Sequence, residues 1–153
     1  MRIKVICIGK DRRNEFEAAI ARYSKQLPWT VEVIERQPKK PNAPVSQRMA
    51  EEAELMLTAA EGANVKIALD ERGKLLSSPQ FSQKLQGFEQ EGRSDIAFFI
   101  GGADGLDKGL LSQCDLKLSF GQMVWPHQMV RVMLMEQLYR AYSIGVGHPY
   151  HRE

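Results

Sequence analysis

Ile96, Ala97, Phe98, Phe99 and Ile100 form the longest strand-like apolar run in the chain, with polar Ser94 and Asp95 before it and Gly101 and Gly102 after. A strand that is apolar on both faces belongs at the centre of a sheet covered on both sides, which predicts parallel pairing. Shorter runs predict four more strands: Ile3 to Ile8, Thr30 to Ile34, Val65 to Leu69, and the alternation of Leu116, Leu118 and Phe120. Helical spacing fills the intervals. Asn14 is placed to cap a helix carrying Phe16, Ile20, Tyr23 and Leu27, which Pro28 stops. A second helix begins at Ser46 and ends at Gly62. A third opens at Ser78-Pro79, carries Phe81, Leu85 and Phe88, and closes at Gly92. Leu106 to Cys114 predicts a short helix, and Pro126 opens the last one. Strands alternating with helices specify an α/β fold: one domain, with a mostly parallel sheet flanked by helices.

The last helix departs from ordinary amphipathic patterning. Met129, Val130, Val132, Met133, Leu134, Met135, Leu138, Tyr139 and Tyr142 spread around most of its circumference. Such a helix is buried on several sides. A domain of this size has little room for that, so the pattern predicts a homodimer contact. The chain then ends I-G-V-G-H-P-Y-H-R-E, a tail without a core pattern but rich in aromatic, histidine and arginine side chains. That composition suits contact with RNA.

Parallel strands deliver their carboxyl ends to one edge of a sheet, where ligands bind in open α/β folds. Three turns are therefore expected to meet there: Leu69-Asp70, Gly101-Gly102, and Gly121 to Pro126 (G-Q-M-V-W-P). Missing side chains at Gly101 and Gly102 would leave space for a ligand against the backbone. Gly101 to Gly105 matches neither the dinucleotide G-x-G-x-x-G nor the phosphate loop G-x-x-x-x-G-K-S/T. There is no nucleophile elbow. His127, His148 and His151 lack ligand-rich partners, so no metal is expected. Cys7 and Cys114 sit in apolar or amphipathic contexts, as core residues do, and their spacing suggests no disulfide, which fits a reducing cytoplasm.

Composition adds limits. A length of 153 residues suits one domain with a proper core. The net charge of +2 is too small to announce a nucleic-acid binder. Charge is nevertheless concentrated locally. Lys10 to Arg13 forms a charged loop, and Arg36 to Pro44 (R-Q-P-K-K-P-N-A-P) combines three cations with three prolines in a stiff exposed segment. No apolar run is long enough to span a bilayer, and the amino-terminal pattern is a strand rather than a targeting segment, so a soluble cytoplasmic protein is expected. The predicted pocket has no evident acid-base pair, metal or nucleophile. A sulfonium methyl donor tolerates that, because it already carries its electrophilic carbon and leaving group. Alignment alone supplies on the order of 7–11 kcal/mol.

I-G-G-A-D-G at Ile100 to Gly105, W-P-H-Q-M-V-R-V at Trp125 to Val132, E-Q-L-Y-R-A at Glu136 to Ala141 and H-P-Y-H-R at His148 to Arg152 carry a resemblance. Together they resemble the bacterial RlmH family of ribosomal large-subunit methyltransferases, over the whole chain. The resemblance implies a SPOUT α/β-knot fold, with a carboxyl-terminal trefoil knot, and a homodimer. It implies S-adenosyl-L-methionine as methyl donor and N3 of a pseudouridine in 23S rRNA of assembled ribosomes as acceptor. Its donor site would comprise Leu69, Gly102, Gly121, Gln122, Met123, Val124, Trp125 and Pro126. Tyr150, His151 and Arg152 would be the catalytic tail, with His148 beside them. His151 or water would take the N3 proton, and Arg152 would stabilise the anion or hold a phosphate. Arg131 and Arg140 would pair with Glu136 or reach RNA. Two other classes stay open: a non-catalytic ribosome- or RNA-binding protein, and a small-molecule enzyme of flavodoxin-like shape.

Overall fold

The computed structural model describes residues 1–10 and 12–152, so Asp11 of the charged loop and Glu153 of the tail lie outside the described residues. Five strands, β1 (Arg2–Ile8), β2 (Thr30–Arg36), β3 (Val65–Leu75), β4 (Asp95–Ile100) and β5 (Leu116–Ser119), form one sheet in the order β2-β1-β4-β3-β5. Every pairing is parallel. The helices are α1 (Glu17–Gln26), α2 (Val45–Ala59), α3 (Ser78–Gln90), α4 (Lys108–Ser112) and α5 (His127–Val146).

Strand β4 is central, and its alternation feeds two cores. Ile96, Phe98 and Ile100 join the larger core with Ile3, Val5, Ile67 and Leu118, under α1, α3 and α5. Ala97 and Phe99 join Ile6, Ile8, Met56 and Leu110 on the opposite face, under α2 and α4. This two-sided burial is why β4 reads as unbroken apolar sequence. All five carboxyl ends share one edge, so three loops of very different sequence become neighbours.

Much of the apolarity of α5 is met within one chain. Leu134, Met135, Leu138 and Ala141 are buried toward the sheet. Its flanks pack on α3 and α1. The pattern therefore does not by itself require a second copy. The large core holds this helix because two shorter helices stand on either side of it.

Several boundaries differ from expectation, three of them with a clear physical cause. Asn14 does not cap α1 with its side chain; it takes a left-handed conformation (φ 52°), and its carbonyl receives the Glu17 amide at 3.3 Å. Asparagine tolerates that region better than other residues with a Cβ. Helix α3 is capped by Ser77 rather than Ser78. The Ser77 hydroxyl receives the Gln80 amide, and the Gln80 side chain receives the Ser77 amide, a reciprocal pair only this register allows. Strand β3 runs on through Glu71 to Leu75, where a loop was expected, with a register shift against β5 between Leu69 and Lys74.

Gly73 makes that extension possible. A Cβ there would lie 2.7 Å from the carbonyl carbon and oxygen of Lys117 and 2.9 Å from the Asp70 carbonyl oxygen. All three are backbone atoms that cannot step aside. Gly73→Ala is expected to destabilise the fold by about 1–3 kcal/mol, the usual cost of overpacking, read as a lowered midpoint in urea unfolding. An unchanged midpoint would show that the two strands separate freely here.

Candidate functional site

Leu69, Gly102 and Val124 line a single cleft of about 560 Å³ at the carboxyl edge of the sheet. Asp70, Arg72, Asp104, Trp125 and His127 complete much of its wall. The three turns marked in the sequence therefore converge. Among their residues, Gly121, Met123, Val124 and Trp125 reach the cleft. Gln122 instead faces Glu71 to Leu75 on a separate small depression. Pro126 stands at the head of α5, where its missing amide costs no helical hydrogen bond.

Ser119, which sequence reading passed over, joins two of the turns. Its hydroxyl donates to the Glu71 carbonyl at 3.0 Å and accepts the Gly121 amide at 3.0 Å. The glycine turn is held from within and from below. The Gly105 amide donates to the Gly102 carbonyl at 3.1 Å, and Arg48 of α2 pairs with Asp104. The same Arg48 donates to the Pro41 carbonyl at 3.1 Å, so the basic loop is tied to the turn. Beneath the turn lies Glu52, only 6% exposed. Burial raises its pKa, opposed by Arg48 and reinforced by Asp104 and Glu51. A Cβ on Gly102 would point at this carboxylate, 3.2 Å from Oε2, and at Ile8. The missing side chain thus makes room for Glu52 and not, as expected from sequence, for the ligand. Nothing local in the sequence links Glu52 to Gly102; only the packing of α2 across the sheet does.

His127 lies in the cleft wall with its pKa lowered, by burial first and then by Arg131, which keeps the imidazole neutral. Arg131 is 3% exposed, pairs with Glu35 at 2.5 Å and donates to the Gly9 carbonyl at 3.1 Å. It ties the start of α5 to the ends of β1 and β2. Arg140 pairs with Glu136 at 2.5 Å, one turn away on the same helix. Both thiols are pushed up to about 11, chiefly by burial, so neither Cys7 nor Cys114 is a nucleophile at neutral pH. Among the described residues, no group of histidine, cysteine and carboxylate side chains could hold a metal ion.

The tail folds back on α5. Gly147 closes the helix in the left-handed region (φ 73°), which turns the chain around. The Tyr150 hydroxyl donates to Glu136 at 2.9 Å; its ring meets Tyr139 edge-on at 4.7 Å, under the Arg140 guanidinium at 4.8 Å. Burial and the Glu136 contact raise the Tyr150 pKa, so this hydroxyl keeps its proton. Nδ1 of His151 receives Arg140 at 3.1 Å, and since guanidinium only donates, the neutral ring carries its hydrogen on Nε2. Taking a proton on Nδ1 would require the ring to leave Arg140. Arg152 is exposed. Glu136, the hub of this cluster, was legible in sequence only as a partner for arginine.

The chain and its fold match known proteins. A family model described as "Predicted SPOUT methyltransferase" matches residues 1–151. A ribosomal RNA large subunit methyltransferase H of Dinoroseobacter shibae is 60% identical over 103 residues, 67% of this chain and 66% of that one. Its counterpart in Ruegeria pomeroyi is 42% identical over 160 residues, 99% of each chain. Among solved structures, a probable methylase family protein from Haemophilus influenzae superposes with a TM-score of 0.60 at 14% identity, covering 99% of this chain and 70% of that one; at that identity the likeness is one of fold. This chain belongs to the SPOUT methyltransferases and, within them, to the ribosomal RNA large subunit methyltransferase H family.

Proposed function

We propose that this protein methylates N3 of a pseudouridine in 23S rRNA of the large ribosomal subunit, acting on assembled ribosomes as a homodimer. S-adenosyl-L-methionine is the methyl donor. The observation that supports this most directly is the convergence of Leu69, Gly102 and Val124 on one cleft. The cleft fits such a donor: it is within the usual size of small-ligand sites, roughly 300–1,000 Å³, and two glycine turns line it. The donor brings a methyl group on a cationic sulfur, so the chain needs no metal or nucleophile of its own. The names of the relatives above support rRNA as acceptor.

The chain's work is positional. Leu69, Gly102 and the Gly121 to Trp125 turn hold the donor, with Gln122 and Pro126 shaping that turn. The tail, through Tyr150, His151 and Arg152, meets the acceptor. As N3 of the base loses its proton to His151 or to water, Arg152 balances the charge left behind, and N3 then takes the methyl group as the carbon–sulfur bond breaks. Met123 and Val124, 74% and 81% exposed at the cleft rim, are the apolar surface that a second copy covers. We further assign to this chain the trefoil knot of its superfamily.

Radiolabelled S-adenosyl-methionine, offered with ribosomes or with free rRNA, tests the reading. Label in rRNA supports it. Donor and ribosome binding without transfer favours a non-catalytic binding protein. Indifference to both contradicts both.

The basic loop supplies a further expectation. Lys39 and Lys40 are exposed, on a segment that Arg48 ties to the glycine turn. Converting both to alanine should weaken ribosome binding mildly and flatten its dependence on log salt by about 0.7–0.9 for each phosphate that the loop neutralises. An unaltered slope would show that this loop does not touch RNA.

A further inference from the structure

Beyond the donor cleft lies a second cavity of about 590 Å³, and the two share Leu118, Phe120 and Gly121. The two cavities therefore adjoin at the chain leaving β5. The second cavity has aromatic walls, with Tyr23 from α1, Phe81 from α3 and Phe120 from the chain leaving β5. One side is polar, formed by Ser78, Glu136 and Gln137.

We propose that this second cavity receives the acceptor base, a uracil-type pyrimidine turned out of the RNA, and that Gln137 reads its edge. This rests on the methyltransferase reading above and names where its acceptor sits. The first ground is position. Reacting atoms must come within about 3–3.5 Å of each other, so the acceptor enters a space that touches the donor cleft, and this cavity shares a wall with it. The second is chemistry. Flat heteroaromatic rings are held by aromatic side chains against their faces and by polar groups along one edge.

The third ground is the state of the polar side. Ser78 Oγ donates to Gln137 Oε1 at 2.8 Å, and Gln137 Nε2 donates to Glu136 Oε2 at 3.0 Å. Glu136 Oε1 receives Tyr150 of the tail at 2.9 Å and Arg140 at 2.5 Å. The row Ser78, Gln137, Glu136, Tyr150 thus spans α3, α5 and the tail, and fixes the carboxamide from both sides. Among the described residues, one N–H and one oxygen lone pair of Gln137 have no further partner. That donor-acceptor pair matches a ring carbonyl beside a ring N–H. In pseudouridine N1–H adjoins the C2 carbonyl, whereas in uridine the same nitrogen carries the sugar. Contact at that edge leaves N3 open to methylation. The tail's Tyr150 also meets Tyr23 and Glu136, two residues of the cavity wall.

The test compares wild-type protein with Gln137→Ala and with the near-isosteric Gln137→Met, using ribosomes that carry pseudouridine or uridine at the target. S-adenosyl-methionine affinity is measured calorimetrically, and kcat and KM by methyl transfer. Both variants should bind the donor within twofold of wild type. Their kcat/KM on pseudouridine should fall ten- to hundredfold, toward the uridine value. Undiminished discrimination in both variants overturns the inference while leaving the methyltransferase reading intact. A fall in donor affinity that parallels the fall in activity overturns it too, by assigning the cavity to the donor. No transfer by the wild-type protein overturns the reading itself and the acceptor site with it.

Discussion

Replacing Gly102 with valine is expected to lower donor affinity about a hundredfold, read by calorimetry. The added side chain points away from the cleft, 3.2 Å from Glu52 Oε2 and 3.3 Å from Ile8 Cγ2 at its first atom. Glu52 is buried, and Ile8 belongs to the core under α2, so neither has open space to move into. Overpacking of this kind costs about 1–3 kcal/mol, and each 1.4 kcal/mol is about tenfold in affinity. The turn yields first, because one side of it borders the cleft, and it yields into the donor's place. The identity of the obstacle makes the claim sharper. Gly102→Ala should be mild, since a single methyl asks only a few tenths of an ångström of a carboxylate. Adding Glu52→Ala to Gly102→Val should restore part of the affinity, a non-additivity that contacting residues show and distant ones do not. Near-normal donor binding by Gly102→Val alone would remove the glycine turn from the site.

Deleting residues 148–153 is expected to lower kcat on the order of 10²- to 10⁴-fold, the range for removing a proton-transfer or charge-balancing group, with donor affinity unchanged. Stability should hold. No described residue of the tail belongs to either core, and the Gly147 turn that ends α5 precedes the deletion. What goes is the Tyr150 contact with Glu136 and Tyr139, the Arg140 contact with His151, and the Ser143 carbonyl's bond from His148 at 2.9 Å. These contacts are part-buried against α5 and lie outside both cores. Full turnover by the shortened chain would refute a role for the tail. Its unfolding would show that the tail is structural.

The elements of the fold were legible because each obeys a local rule. β4 reads as buried on both faces since both faces are covered, and α3 is announced by its serine-proline start. The meeting of the three turns was legible too, because parallel pairing forces all carboxyl ends to one edge. The failures share a cause. The β3 extension depends on Gly73 lying against Lys117, and the space under Gly102 depends on Glu52; both are contacts between residues far apart in the chain. Ser119 reads as an ordinary strand-end serine until its two backbone partners are seen. The all-round apolarity of α5 was read as burial on several sides; its fully buried apolar residues lie toward the sheet, and its flanks pack on α3 and α1. Whether those sides are the chain's own helices or a second copy is not written in periodicity.

The most direct measurement is a titration of isotopically labelled protein with S-adenosyl-methionine, followed by amide NMR. Donor held by three converging turns should shift the amides of Leu69, Gly102 and Gly121 to Trp125 together, along one saturation curve, and leave those of α1 still. Shifts confined to one turn, or centred elsewhere on the molecule, would contradict a donor site built from strand ends.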